Sequence, residues 1–155
     1  MKKIISVLLS LSILMLSLVP FSIFANECTG DAQSIEYFED GSYIITEIIS
    51  TEPILRTTGV SKTKSQHYYN SNNEKEWTVT VTGTFNYDGK TATCTKAVTS
   101  YKIYNDNWKV TVSNASRSGA KAIGTFTVKK YVLGVPIKTV NQTVTLTCSK
   151  DGKFS

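Results

Sequence analysis

The stretch Trp77 to Cys94, WTVTVTGTFNYDGKTATC, constrains the fold more than any other part of the chain. Trp77, Val79, Val81 and Phe85 alternate with Thr78, Thr80, Thr82 and Thr84, and successive side chains of a strand point to opposite faces. One face is therefore apolar and the other carries hydroxyls. Asp88-Gly89 supplies residues that tolerate a positive φ, so the chain reverses there and Thr91 to Cys94 returns beside the first strand. A β-hairpin is predicted, and with it a β domain.

The chain starts Met1-Lys2-Lys3 and continues as an uncharged apolar run from Ile4 to about Phe24, followed by Ala25. A basic start, an apolar run and a small residue at its end are the marks of a secretory signal peptide, here residues 1–25. The competing reading is a retained anchor, because the run is nearly long enough to span a bilayer. Cys28 invites a lipid-anchor reading, which Glu27 immediately before it opposes, since it is neither small nor neutral. Beyond the leader, a polar lead-in is expected over 26–40 and a single β domain over 41–155. No later run is long enough to cross a membrane, so the expectation is a secreted, extracellular protein without a membrane span after cleavage. A Thr-, Lys- and Asn-rich β domain behind a two-lysine leader resembles, in composition only, small secreted proteins of low-GC Gram-positive bacteria. That likeness implies a bacterial habitat and no site.

Charge is unevenly distributed. Residues 27–76 hold nine acids against Arg56, Lys62, Lys64 and Lys75, whereas residues 77–155 hold eleven basic side chains against Asp88, Asp106 and Asp151. The basic half suits anionic polymers. Its cations are spread singly along strands rather than clustered, which argues against nucleic acid.

Further strands are predicted at Ser42–Ser50, apolar on both faces and hence covered on both, and at Val60–Tyr69, more polar and placed at an edge guarded by Lys62 and Lys64. Asn70 to Asn73 is a turn that lacks the alternating acids of a calcium loop. Along Thr91–Tyr104 the apolar alternation slips phase near Lys96-Ala97, which predicts a β-bulge or bend. Trp108, Val110 and Val112 make the next strand, Asn114 to Ala120 a loop, and Lys121 to Cys148 a final hairpin with Leu133-Gly134-Val135 at its tip. About eight strands joined by short turns predict an antiparallel β-sandwich or flattened barrel.

Cys94 and Cys148 share the phase of inward residues, so a disulfide between them is expected, worth roughly 4 kcal/mol in the chain-entropy picture, with Cys28 left over. No close-spaced Cys or His pair offers a zinc site, and no cofactor or metal is expected. His67 is the sole histidine and no Gly-x-Ser-x-Gly accompanies it, so the protein is read as no enzyme. Glu74, Glu76 and Asp88 are carboxylates that glycoside cleavage would need in pairs, yet nothing in their spacing pairs them.

Trp77 and Trp108 sit in phase with valines and are assigned to the core. Tyr68 and Tyr69 are adjacent, so one of them faces outward, and Tyr87 at a turn and Tyr104 at a strand end add to a candidate aromatic patch. The function expected is a non-catalytic binding module for a cell-wall polymer or glycan, using Tyr68, Tyr69 and Tyr87 with Lys129 and Lys130. The alternative is a contact with another extracellular protein through Leu133 at the hairpin tip. The leader reading has a direct check. Protein recovered from culture medium should show an intact mass beginning at Asn26, and a membrane-bound species retaining Met1 would refute cleavage.

Overall fold

The computed structural model describes residues 31–50 and 58–155. The leader, Cys28 and most of the loop expected at Thr51 to Gly59 lie outside these residues. The fold is all-β, with eight strands in two antiparallel sheets. Strands β1 (Asp31–Tyr37), β2 (Tyr43–Ser50), β3 (Val60–Tyr69), β4 (Lys75–Tyr87) and β5 (Ala92–Ile103) form one sheet in sequence order. Strands β6 (Trp108–Ser118), β7 (Lys121–Val132) and β8 (Val135–Thr147) form the other.

The alternation in β4 decides how the layers meet. Trp77, Val79, Val81 and Phe85 are fully buried and share one core with Ala122, Phe126 and Val128 of β7 and Val140, Val144 and Leu146 of β8. Gly83 lies on the same face, where a Cβ would come within 2.4 Å of the Phe85 ring and 2.8 Å of Ala122 Cβ, so the close approach of β7 requires glycine. The threonines of β4 face the other way and pair with β3: Thr84 with Ser61 at 3.1 Å, Thr82 with Thr63 at 3.0 Å and Thr80 with Ser65 at 3.1 Å. Cross-strand hydroxyl pairs of this kind add about 0.2–1 kcal/mol each.

The Asp88-Gly89 reversal is present, with Gly89 at φ 82° and Asp88 Oδ1 accepting the N–H groups of Lys90 and Thr91. The slip in β5 is a bulge: Thr84 pairs with Lys96 and Phe85 with Cys94, which leaves Thr95 as the extra residue.

Four expectations are corrected. The supposed lead-in contributes the edge strand β1, because its Ser34–Tyr37 segment pairs residue for residue with Tyr43–Thr46. Val60–Tyr69 is interior, flanked by β2 and β4, and Lys62 is buried with its ammonium 5.5 Å from the Phe154 ring instead of guarding an edge. Strand β2 is covered on one face only, burying Ile44 and Ile48 while Ile49 is exposed. The loop expected from Asn114 is strand as far as Ser118, because Asn114 to Ser118 pair with Thr125 to Lys121.

The disulfide is the fifth correction. Cys94 and Cys148 are both buried, as their phase implied, but both are free thiols. Each turns to a carbonyl close by in its own chain, Cys94 Sγ donating to Lys96 O at 3.2 Å and Cys148 Sγ to Ser149 O at 3.3 Å. Sharing an inward phase does not supply the short, specific geometry of a bridge. Burial pushes both thiol pKa values up, and for Cys148 the neighbouring Cys94 adds to it. Alkylation of unfolded, unreduced protein should therefore yield the Cys94 and Cys148 peptides separately, each carrying the label. A linked pair of peptides would contradict the free thiols.

Candidate functional site

At one end of the sandwich a bulge reshapes the sheet. Tyr68 pairs with Trp77 but Tyr69 pairs with Lys75, so Glu76 is an extra residue in β4. A bulge re-aims the side chains beside it. Consecutive residues of a regular strand face opposite ways, yet Glu76 and Trp77 are exposed by only 2 % and 0 %. The β3–β4 turn holds Glu76 in place. Asn70 Nδ2 donates to Glu76 Oε1 at 2.9 Å and to Glu74 Oε2 at 2.7 Å, while Asn70 Oδ1 accepts the N–H groups of Asn72 and Glu74. Glu76 O accepts the N–H of Tyr104 at 2.9 Å and of Asn105 at 3.3 Å, and Asn105 O accepts the N–H of Trp108 at 2.9 Å. The bulge thus anchors the turn that carries the chain into the second sheet.

Trp108, the first residue of β6, meets Tyr68 and Trp77 there. Tyr68 lies flat on Trp77, 4.9 Å between centroids at 2°, and Trp108 sets its ring edge-to-face against both, at 5.3 and 6.2 Å. Across the sheet from Trp108 come Lys130 and its β8 partner Lys138. Between these groups lies a cleft of about 140 Å³, lined by Tyr68, Asn70, Glu76, Trp108, Lys130 and Lys138 together with Asp40, Ser42 and Ser71.

Lys138 organises one wall. Its ammonium donates to Tyr68 Oη at 2.7 Å and to Asp40 Oδ2 at 2.5 Å, and Asp40 Oδ1 accepts from Ser42 Oγ. The Lys138 and Ser42 hydrogen bonds hold the Asp40 carboxyl far below the usual carboxylate range. Burial opposes the charge on Lys138, but the bonds to Asp40 and Tyr68 outweigh it and raise the lysine's pKa. Two other lining residues are left unsatisfied. Glu76 Oε2 and Trp108 Nε1 are buried without a hydrogen-bond partner. One is an acceptor and the other a donor, and each is the kind of group that buried sites satisfy.

The sequence-predicted ligand residues separate. Tyr68 is buried, 3 % exposed, with a ring face spent on Trp77, which corrects its reading as an exposed stacking residue; it lines the cleft with its hydroxyl held by the Lys138 ammonium. Tyr69 is the outward member of the pair, but it stacks on Tyr43 at 5.0 Å with Tyr37 beyond, and the Lys75 ammonium lies 5.4 Å from its centroid. Burial first, then Tyr69 and Tyr37, raise the pKa of Tyr43. Rings stacked on one another form a ladder, not a platform for a ligand. Tyr87 lies at the far end of β4, half-buried against Gly152. Lys129 sits on the outer face beside Lys109, and Lys130 points inward with its ammonium 5.8 Å from the Trp108 ring. Only Tyr68 and Lys130 come together. Leu133 is fully exposed at the tip of their hairpin's β7–β8 turn.

The histidine lies elsewhere, on the outer face of the five-stranded sheet. His67 Nε2 is 2.7 Å from Glu47 Oε1 and Nδ1 is 2.8 Å from Thr78 Oγ1, an acid–imidazole–hydroxyl row. Strands β3 and β4 are paired on both edges, so their N–H groups serve the ladders and offer no oxyanion donors. The row extends the hydroxyl ladder of this face. Glu74 and Glu76 meet through Asn70, whereas Asp88 lies beyond the other end of β4, its carboxyl pKa lowered by the N–H groups of Thr91 and Lys90. No group of three or more His, Cys, Asp or Glu side chains among the described residues is placed to hold a metal ion.

No family model, curated protein or solved structure matches the chain.

Asn70 is the element of the site most open to test. Asn70→Ala removes its four side-chain hydrogen bonds and leaves Glu76 with both oxygens unpartnered. A stability loss of about 2 kcal/mol in urea unfolding is expected, and no loss would show that the turn holds Glu76 by other means.

Proposed function

We propose that the protein is a non-catalytic extracellular binding module that seats one acidic sugar unit of a cell-surface polymer in the cleft between the sheet ends. The observation that carries this reading is a pair of buried polar atoms without hydrogen-bond partners, Glu76 Oε2 and Trp108 Nε1, on two residues that line the cleft. A buried polar atom left unsatisfied costs about 1–3 kcal/mol, so a ligand that satisfies both recovers that free energy on binding. The ligand must present a donor to Glu76 and an acceptor to Trp108. A sugar hydroxyl and a sugar carboxylate on neighbouring carbons meet both needs, and the Lys130 ammonium beside Trp108 favours the anion. The cleft has room for far more than one water, and its lining is polar on several sides, as a hydroxylated ligand requires. Ring stacking plays little part, because the faces of Tyr68 and Trp77 are spent on each other.

A module without catalysis is supported by the commitment of His67 to Glu47 and Thr78 and by the single buried carboxyl in the cleft wall beside an otherwise ion-paired Asp40. A protein-contact reading would rest instead on the exposed tip at Leu133.

Calorimetric titration with uronic-acid oligosaccharides beside their neutral counterparts tests the proposal. Saturable binding of the acidic series is expected, weakening with salt and falling about tenfold in Glu76→Gln, Trp108→Phe or Lys130→Ala, all judged folded by circular dichroism. Glu76→Gln keeps the shape of the wall, so a binding loss there is a loss of chemistry. Equal affinity in that variant, or no binding of either series, would overturn the assignment.

A further inference from the structure

The β7–β8 hairpin ends in a feature that neither folding nor solubility favours. Val132, Leu133, Val135 and Ile137 are all exposed, with Leu133 completely so, and they fall within six consecutive residues. Leu133 and Gly134 form the two-residue turn, both at positive φ, 50° and 81°. Asn or Gly adopts such a turn without strain, and a branched apolar side chain does not. A bulge accompanies it, since Lys130 pairs with Lys138 but Tyr131 with Pro136, so that Ile137 is the extra residue. The tip is convex and apolar over its whole end.

Its surroundings are positive. Strands β6, β7 and β8 carry Lys109, Arg117, Lys121, Lys129, Lys130 and Lys138 and not one Asp or Glu. Lys109 and Lys129 are cross-strand neighbours on the face turned away from the core, where like charges side by side gain nothing for the fold. The Lys109 ammonium lies 5.4 Å from the ring of Tyr131, at the base of the tip. The acids of this end are Glu39, Asp40 and Glu74 in turns of the five-stranded sheet, Glu76 buried in β4, and Asp106 in the turn between sheets.

We propose that this hairpin is a membrane finger: Leu133 and its apolar neighbours enter the interface of an anionic lipid bilayer while Lys109 and Lys129 meet the headgroups. A bilayer interface receives a convex apolar tip from every side, and it pairs apolar insertion with anionic charge at the depth where these lysines sit. The aliphatic stems of Lys109 and Lys129 can follow the tip inward while their ammonium groups stay at headgroup level. A protein partner would instead need a deep pocket, and nothing about the tip has the flat apolar core and polar rim of a protein interface. This surface is distinct from the cleft, whose lining includes none of Val132, Leu133, Val135, Ile137, Lys109 and Lys129.

The test is sedimentation of the chain from residue 26 onward, which holds all eight strands, with phosphatidylcholine vesicles with and without phosphatidylglycerol. Binding is expected to the anionic vesicles, to decline with salt, and to fall about tenfold in Leu133→Asp and in the double variant Lys109→Ala/Lys129→Ala. Leu133→Asp touches no packed group and places a residue better suited to positive φ, so it should fold as well as the parent. Leu133→Trp gives a direct readout, its emission moving to the blue on anionic vesicles while buried Trp77 and Trp108 stay constant. No partition of the parent into anionic vesicles, or equal partition of Leu133→Asp, would overturn the proposal. So would self-association, or capture of a protein partner, that is lost in Leu133→Asp while vesicles are ignored.

Discussion

The packing of Tyr68, Trp77 and Trp108 is the interaction on which the rest of this structure depends. Within the described residues the two sheets are joined by one short turn and by scattered hydrogen bonds such as Cys94 N–H to Gly119 O at 2.8 Å and Ser113 Oγ to Thr99 Oγ1 at 3.1 Å, so side-chain packing carries much of how they lie on each other. Tyr68 stacked flat on Trp77, with Trp108 set edge-on against both, supplies that fixation at the end where the chain crosses. Aromatic pairs of these geometries are worth about 0.5–1.5 kcal/mol each beyond the area they bury. The arrangement also has a cost. An indole packed on all sides cannot turn its N–H to water, and both Trp77 Nε1 and Trp108 Nε1 are left without partners. For Trp77 the orphan lies in a closed interior, but for Trp108 it lies in the wall of a cleft. The same packing that joins the sheets therefore leaves a buried donor without a partner on a residue that lines the cleft.

The outer surface of the five-stranded sheet follows from a different rule. Threonine is β-branched, so it suits a strand, and it carries a hydroxyl, so it suits a solvated face. Rows of Ser and Thr across β3 and β4 satisfy one another, and His67 joins the series by bonding Thr78 and Glu47. That explains how a histidine and a glutamate come within hydrogen-bond reach on this face. The inner face of β3 is less orderly: burial lowers the pKa of Lys64, and Gln66 Oε1 is buried without a partner.

Alternation makes the fold legible from β4 outward. The core assignment of Trp77 and Trp108, the Asp88-Gly89 reversal and the bulge beside Lys96 all follow from a period of two or its interruption, which sequence displays directly. The site is mostly hidden because its key residue breaks that period. Glu76 is adjacent to Trp77 and would face outward in a regular strand; only the pairing of β3 with β4 reveals that it is a bulge residue turned inward. Tyr68 is hard to place for a related reason. Adjacent tyrosines force one outward, but which one depends on register, and the register follows from Tyr68 opposite Trp77. Lys138 is separated from Asp40 and Ser42 by nearly the whole domain, and no local pattern links it to them. The disulfide expectation fails because two cysteines of the same phase need not be neighbours at bonding distance.

The link between Asp40 and Lys138 shows how the cleft keeps its shape. It ties the β1–β2 turn to β8, elements from different sheets, and it positions Tyr68 Oη through the same ammonium. The Asp40 pKa is depressed, so any stability it contributes is present above the ordinary carboxyl value near about 4 and is lost only as pH falls toward the folded value. Asp40 is half exposed, with a side-chain accessibility of 54 %, and solvent screening keeps the contribution of such a pair to about 1 kcal/mol or less. Stability is therefore a poor account of why three polar groups converge on one lysine. A better account is position. With Lys138 engaged by Asp40 and Tyr68, its charge is already compensated, and the charge beside Trp108 belongs to Lys130. Under the proposed function, the anion preference rests on Lys130 and the indole N–H, and the preference for a hydroxyl donor rests on Glu76. All three residues line one cleft, so the proposed ligand carries both groups close together rather than being a simple anion.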